Sequence, residues 1–532
     1  MKKVSLVFML MLTASWFCGA QDAENATVAR RNDPLKSYAR PSLTVIYVNR
    51  GEALSDRLIR QMETNGISGK FNDNTVEKNV LKQPAGQELT VEQLEALLRT
   101  QVSKEIVKRW YPYDPATKTH SLDVVAERGI YNATALEAER AAGTARQHAA
   151  LEASGLELIS RSYIIVYDFY NTKRVSDAES NGYEADCDVY LFHLLWTPET
   201  EAAFDQAWNE YEGKEGDFID RMEFPVAHIA SFRKAPMLTK VRATKGKNSK
   251  TTDEALFLDL TKDIERRAEV YLTKANEDFK VKTEVFAVSP VLARIGTKEG
   301  VTVDQRYFVY EIRQDEAGEQ TAKRKGVVRA SSAIARNETV AAAGEESPTT
   351  RFYQTYGKKL EPGMLMQQKP DWGIGVSVFG GTDLNILAEL SVGMWAGSLA
   401  KNSKIPGGTK IYLKYAKPLQ GMEVEGVKLV DSDTDKELRF EILSVGLSKD
   451  FYFARYFALT PYVGYASMLT PEDYKESVKE MKKATDGLDI GLNLSFAALH
   501  NVQFLGNAGF NTVRGGWYAG GFTAGAGLRI QF

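Results

Sequence analysis

The residues whose types and spacing come closest to chemistry are charges set into apolar alternation near the end of this 532-residue chain: Glu389, Lys410, Lys414 and Arg529. Each lies on the side of a two-residue repeat opposite the apolar side chains, and Glu441 or Arg439 joins them depending on a local bulge. A charge turned towards hydrocarbon at mid-depth costs about 2–4 kcal/mol, so these side chains are expected to point inward and pair with one another. The chemistry is then ion pairing within a wall, with a narrow gated path as the alternative. A second acidic constellation, Asp431, Asp433, Asp435 and Glu437, has the spacing with which a calcium loop begins. Such a loop needs Gly at its sixth place and Glu at its twelfth, where this chain has Lys436 and Ile442. An acidic, solvated hairpin turn is the simpler reading. The five histidines, His120, His148, His193, His228 and His500, form no HExxH pair; His193 and His228 sit in apolar strand patterns, as core histidines do. No GxSxG elbow or Walker loop occurs, and the Gly520–Gly527 cluster has no helix after it. No catalytic residue, cofactor or metal ligand is expected.

The elements that position the charges are strands. Tyr518, Gly520, Phe522, Ala524, Ala526, Leu528, Ile530 and Phe532 alternate with Trp517, Ala519, Gly521, Thr523, Gly525, Gly527, Arg529 and Gln531, the period of an extended chain. The same repeat recurs upstream, and about half of the chain's 41 glycines lie beyond Asp371. The spacing predicts strands over 372–380, 384–396, 409–417, 437–449, 455–467, 487–499, 502–513 and 516–532. Long connections at 418–436 and 468–486 would lie at one end, with turns at 450–454 and 500–501 at the other. The connection 397–408 is long for the short-turn end. The strand 437–449 loses phase at Ile442–Leu443, which predicts a bulge there or a miscounted strand. Trp372, Trp395, Tyr415, Phe451, Tyr452, Phe453, Tyr456, Trp517 and Tyr518 fall near strand ends, where aromatic girdles sit.

The last strand, ending on Phe532, resembles the terminal strand of bacterial outer-membrane β-barrels, and the set is most similar to the small eight-stranded OmpA-type barrels of a Bacteroidota-like envelope. The resemblance implies that Leu528, Ile530 and Phe532 form an assembly signal read by the barrel-insertion machinery. It also implies that a barrel this small is filled by side chains. No peptidoglycan-binding module is recognisable, so cell-wall anchoring does not carry over.

Upstream, residues 1–20 have a basic start, an apolar run and Cys18-Gly19-Ala20, the layout of a secretory signal peptide. Cleavage there leaves Cys187 as the single cysteine and excludes an intramolecular disulfide. Residues 21–40 read as a flexible leader and 41–280 as mixed α/β. Within the latter, Thr90 and Gln93 make a capping box for a helix to Trp110 with the stripe Leu94, Leu97, Leu98 and Val102. Residues 134–153 read as an Ala-rich helix. Residues 281–370 read as a β-rich module with a linker, in which GTKEGVTVDQRYFVYE and KGVVRASS resemble small SH3-like modules of envelope proteins. A net charge of −3 and a pI near 6.1 give no reason to expect nucleic acid. Beyond the signal no run of about 18 apolar residues occurs, which says nothing against a barrel.

The expected fold is multidomain: a mixed α/β (α+β) periplasmic region followed by a C-terminal antiparallel transmembrane β-barrel of about eight strands. The expected function is a structural or assembly protein, not an enzyme, whose barrel anchors a periplasmic interaction domain in the cell outer membrane. Outer-membrane lipid, lipopolysaccharide, the insertion machinery and a periplasmic or outer-membrane protein are the expected partners. A narrow channel with a periplasmic receiving domain, and an envelope enzyme with its site in the soluble region, are the alternatives.

Overall fold

The computed structural model describes residues 40–84, 87–132, 155–156, 158–235, 238–314, 320–337, 348–382, 386–393, 406–417, 441–469, 486–513 and 521–532. The expected signal peptide, the leader apart from Arg40, the Ala-rich stretch 134–153, the acidic run 431–437, Arg439, Trp395, Trp517 and Tyr518 lie outside the described residues. The chain forms two compact units. The first runs to Lys282 and takes in Ile295–Gly300 and the stretch from Arg336; the second holds the rest of the β module together with the barrel.

The first unit is a sheet covered on both faces. Strand β1 (Ser42–Asn49) pairs parallel with β2 (Ser162–Ser176), which turns back antiparallel into β3 (Ser180–Leu194). Strands β4 (Val226–Phe232) and β5 (Val241–Gly246) pair with opposite halves of β3. A parallel pair needs a crossover and apolar cover on both faces, and β1 is buried from Ser42 to Val48. On one face Leu43, Val45 and Tyr47 pack against Leu58 and Met62 of helix α1 (Ser55–Asn65) and, further along the chain, against Phe257, Leu260 and Ile264 of the helix Asp253–Ala275. On the other, Ile46 and Val48 meet Leu94 of α2 (Val91–Leu97), Ile106 and Trp110 of α3 (Ser103–Trp110) and Phe204 of α4 (Pro198–Tyr211). The capping box forms as its spacing requires: Gln93 N donates to Thr90 Oγ1, and Thr90 N donates to Gln93 Oε1. A π-turn at Leu98–Val102 joins α2 to α3, and Leu94, Leu98 and Val102 are buried in line with Ile106, Val107 and Trp110.

In the second unit the module is an antiparallel sheet with central order β9–β6–β7–β8: β6 (Arg306–Gln314), β7 (Gln320–Ala330), β8 (Thr350–Gly357) and β9 (Leu365–Gln368). Residues 350–368, in which the sequence reading marks no strand, thus supply two of its strands. The register of β8 against β7 slips between Val327 and Val328, and a bulge that interrupts the period of two hides a strand from pattern reading.

The barrel is built from β10 (Ile374–Gly381), β11 (Ile386–Gly393), β12 (Thr409–Lys417), β13 (Glu441–Lys449), β14 (Phe451–Ala454), β15 (Phe457–Leu469), β16 (Asp486–Ala497), β17 (Val502–Asn511) and β18 (Gly521–Gln531). Apart from β13 and β14, each pairs antiparallel with the next along the chain, and β10 closes on β18 from Gly375↔Gln531 to Gly381↔Gly525. Both β13 and β14 pair with β15, so they are one strand broken at Asp450, and the closed barrel has eight strands. The expected turn at 450–454 is therefore corrected: the hairpin continues through Phe451–Ala454 and turns at Arg455–Tyr456. The break follows from Asp450, whose backbone N–H donates to Gly408 O while its side chain is held inside the wall. No bulge occurs at Ile442–Leu443; the register of β13 with β12 and β15 runs unbroken, with Ile442 buried and Leu443 exposed.

Candidate functional site

Alternation sorts the barrel's side chains into an outer and an inner set. Val378, Leu390, Leu413, Val445, Val463, Ile490, Leu494, Phe504, Phe510, Phe522 and Leu528 are exposed; Phe522, for instance, is 63% exposed. Apart from Val80, Leu122, Leu156, Phe286, Ile312 and the turn residue Leu499, every exposed large apolar side chain among the described residues lies on this wall. Arg529, one residue from Leu528, is 2% exposed. Of the proposed assembly residues, Leu528 and Ile530 are exposed outward, and Phe532 N donates to Ile374 O, beside the seam that closes the barrel.

The inner set is layered. One row crosses six strands side by side: Gln503, Arg529, Ser377, Glu389, Lys414 and Ser444. Within it Arg529 Nη2 donates to Glu389 Oε1 at 2.8 Å and Nε donates to Ser377 Oγ at 2.9 Å. Lys414 Nζ lies 2.5 Å from Asp489 Oδ2, which also accepts from Tyr412 Oη at 3.2 Å. Nearer the β module, Lys410 Nζ donates to Asp450 Oδ2 at 2.6 Å, and Asp450 Oδ1 accepts from Thr460 Oγ1 at 2.9 Å. Glu441 pairs with Lys417 at 3.3 Å. The four charges singled out by spacing are thus paired, with Glu389, Lys414 and Arg529 buried and Lys410 partly so: Glu389 with Arg529, and the two lysines with aspartates that the repeat alone does not single out as partners. Asp489 has the inner phase of its strand, but its partnership needs the register. Asp450 falls in a segment whose sequence reads as a turn.

Two tyrosines fill the middle. Tyr412 lies against Gly446 and Gly464, and Tyr462 against Gly491 and Gly509, positions where a Cβ would collide with the ring or hydroxyl. Glycine in these strands makes room for a large inward neighbour. Asn507 Nδ2 donates to Tyr462 Oη at 3.1 Å and to Asn493 Oδ1 at 2.6 Å.

At the end away from the module the interior is apolar. Phe379, Leu387, Ala416, Ile442 and Met468 stand side by side on five adjacent strands, and Ala466 and Val513 join them in one buried cluster. Ile442 breaks the expected phase because it belongs to this inner apolar row while Leu443 faces out. The signal is present in the sequence as apolar residues on the polar phase, all near the same end.

The opposite end meets the module. Asp304, at a positive φ of 64°, accepts from Gly408 N through both carboxylate oxygens at 2.9 and 2.7 Å and from Tyr353 Oη. Tyr353 stacks on Tyr452 at 5.4 Å, Tyr356 meets Tyr456 edge-on at 5.6 Å, and Phe308 meets His500 at 5.3 Å. Asp371 accepts from Arg329 and pairs with Arg306. The connection that is long for a short-turn end therefore finishes, at Gly408, on the module. Tyr452 and Tyr456, expected in a girdle, point to the module instead, whereas Phe451 and Phe453 are exposed on the wall. His500 sits among Arg324, Arg306 and Lys369, and burial together with these cations pushes its pKa down to about 4.

In the first unit, His193 Nε2 is bonded to Ser160 O at 2.9 Å. His228 is half-buried, with a backbone hydrogen bond at Ala230; its Nε2 is buried without a partner, and burial lowers its pKa. No cluster of metal-ligating side chains occurs among the described residues.

No protein-family model and no curated protein matches the sequence. Among solved structures, the chain is similar to the N-terminal β-barrel domain of Pseudomonas aeruginosa OprF at 12% identity, covering 30% of this chain and 96% of that chain with a TM-score of 0.19. It is similar to the Yersinia pestis outer membrane protein Ail at 14% identity, covering 30% and 99% with a TM-score of 0.19. It is also similar to Neisserial surface protein A at 12% identity, covering 30% and 94% with a TM-score of 0.18. By its own geometry the closed eight-stranded wall, apolar outside and polar inside, has the architecture of a small outer-membrane barrel.

Proposed function

We propose that this chain is an outer-membrane protein whose barrel is a filled anchor, fixing the β module and the N-terminal α/β unit to the periplasmic side. The observation that carries the reading is the inversion of the wall: exposed Leu, Val, Ile and Phe around buried Arg529–Glu389 and Lys414–Asp489 pairs. In water such a belt forgoes about 25 cal/mol for each Å² of apolar surface left uncovered. In a bilayer it is solvated by lipid, and a closed ladder leaves no backbone group unpaired.

The interior supports an anchor over a channel. Paired side chains occupy the middle, an apolar row lies at one end, and the module's Tyr353 stacks on Tyr452 at the other. An even number of strands puts both barrel termini at the module end, which supports a periplasmic position for the N-terminal region. The first unit has two hydrophobic cores of its own, more structure than a barrel of this width could use as a plug. That size supports a role in holding another envelope protein.

Two experiments test the parts separately. Full-length protein in detergent should migrate differently before and after boiling; identical migration, with extraction by carbonate, would remove the anchor. Crosslinking of intact cells should then recover one defined envelope protein attached through the first unit. Crosslinks to peptidoglycan alone would remove the partner role and leave the anchor.

A further inference from the structure

Along one sector of the barrel rim, aromatic side chains of the module meet the turns between strands. Tyr356 meets Tyr456 at the Arg455–Tyr456 turn, and Phe308 meets His500 at the neighbouring turn. The two turns are joined by a hydrogen bond from Ala497 N to Tyr456 O. Below them on the outer wall, Phe453, Phe457 and Phe496 form a contiguous aromatic group, with centroids 6.1 Å apart for Phe453–Phe457 and 5.1 Å for Phe457–Phe496. All three are exposed.

Around these turns the exposed charge is positive. Arg455 is on the turn itself; Lys358 and Lys359 follow Tyr356. Arg324 stacks on Phe308 at 4.9 Å and is one of the cations that depress the His500 pKa. All four are exposed, whereas the nearby carboxylates Asp304, Asp371 and Glu311 already have partners. The exposed Glu361, close to Lys359 in sequence, offsets one of the four charges and leaves the excess positive. Exposed aromatics with cations just beyond them match the order of acyl chain and headgroup in a leaflet.

Resting on the membrane reading of the barrel, we propose that this sector is a binding surface for anionic phospholipid. Arg324, Lys358, Lys359 and Arg455 hold the headgroup phosphates of the leaflet on the module side, and Phe453, Phe457 and Phe496 lie against the acyl chains. The surface would concentrate acidic lipid at one sector of the barrel and stiffen the module against the membrane plane.

The test uses the full-length protein in vesicles of phosphatidylcholine, with and without phosphatidylglycerol, and reads the selectivity of spin-labelled lipids for the protein's boundary. The unmodified protein should prefer labelled phosphatidylglycerol over labelled phosphatidylcholine. The variant Arg324→Gln, Lys358→Gln, Lys359→Gln, Arg455→Gln should lose that preference by at least about fivefold, the contribution of roughly one cation at an anionic surface. High salt should weaken it, and inorganic phosphate should not compete beyond its ionic strength. Equal selectivity in the two proteins, or no preference in the unmodified one, would overturn the proposal while leaving the anchor intact. Failure of the unmodified protein to insert in either vesicle, read by unchanged migration on heating, would instead overturn the membrane reading beneath it.

Discussion

The sheet of the first unit and the wall of the barrel use strands in opposite senses. In β1 every side chain from Ser42 to Val48 is buried and uncharged, and the buried carboxylate beside it, Asp168 of β2, is gripped by Arg50, just past the end of β1, with two hydrogen bonds of 2.7 Å. In the barrel, apolar side chains are on the outside, and Arg529, Glu389, Lys414 and Asp489 are on the inside. The difference teaches that the place of charge across a strand reports the medium. A strand buried between helices is apolar on both faces and pairs the few charges it holds, as Asp168 is paired with Arg50, whereas a wall in hydrocarbon must keep its charges on the inner face and pair them there.

The largest expected effects come from forcing a charge into the wrong medium in each region. Leu528→Asp, Ile530→Asp and Phe532→Asp together should abolish the heat-modifiable form on a denaturing gel, since three lipid-facing charges on the closing strand add up even though each Asp costs less than the roughly 2–4 kcal/mol of a Lys or Arg at mid-depth. Ile165→Asp, in the core of the first unit, should unfold that unit to proteases and leave the heat-modifiable barrel in place. Loss of the barrel in the second variant would mean that the two units do not fold independently.

A smaller effect separates pairing from mere filling. Glu389→Leu leaves Arg529 buried without its carboxylate and should destabilise the barrel by about 3–5 kcal/mol in urea unfolding. Adding Arg529→Met should recover most of the loss, because an apolar pair of similar volume removes the stranded charge. A double variant no better than the single one would show that the pair has a role beyond satisfying itself.

The smallest effect lies at the module contact. His500 titrates near about 4 in the folded protein, below its ordinary value of about 6.5. Between those values the unfolded state binds more protons, so stability rises with pH across the window and falls as the medium is acidified through it. Limited proteolysis of the module should be faster at about pH 5 than at about pH 8, with the difference reduced in His500→Gln. A pH-independent rate would detach His500 from the contact.

The barrel is legible in the sequence because each strand writes its faces in alternation, and the inward positions of Glu389, Lys410, Lys414 and Arg529 follow from phase alone. Their partners do not, because Asp450 and Asp489 come into reach through register between distant strands. The apolar row of Phe379, Leu387 and Ile442 is hidden because it occupies the phase that elsewhere is polar. Tyr452 and Tyr456 look like girdle residues when only the wall is considered; the module that takes them is held by Asp304 and Gly408, 104 positions apart in sequence. In the first unit, the helix caps at Thr90, Thr197 and Thr252 are local and readable, whereas the missing partner of His228 Nε2 depends on the whole packed face.

Single-channel recording of the heat-modifiable, full-length protein in a planar bilayer tests the filled anchor most directly. With the Arg529–Glu389 and Lys414–Asp489 pairs across the middle, the Phe379–Met468 row at one end and the module at the other, the membrane should show no steady conductance above the empty bilayer at any holding potential. Stable, reproducible openings from the unmodified protein would contradict the account and make the barrel a channel.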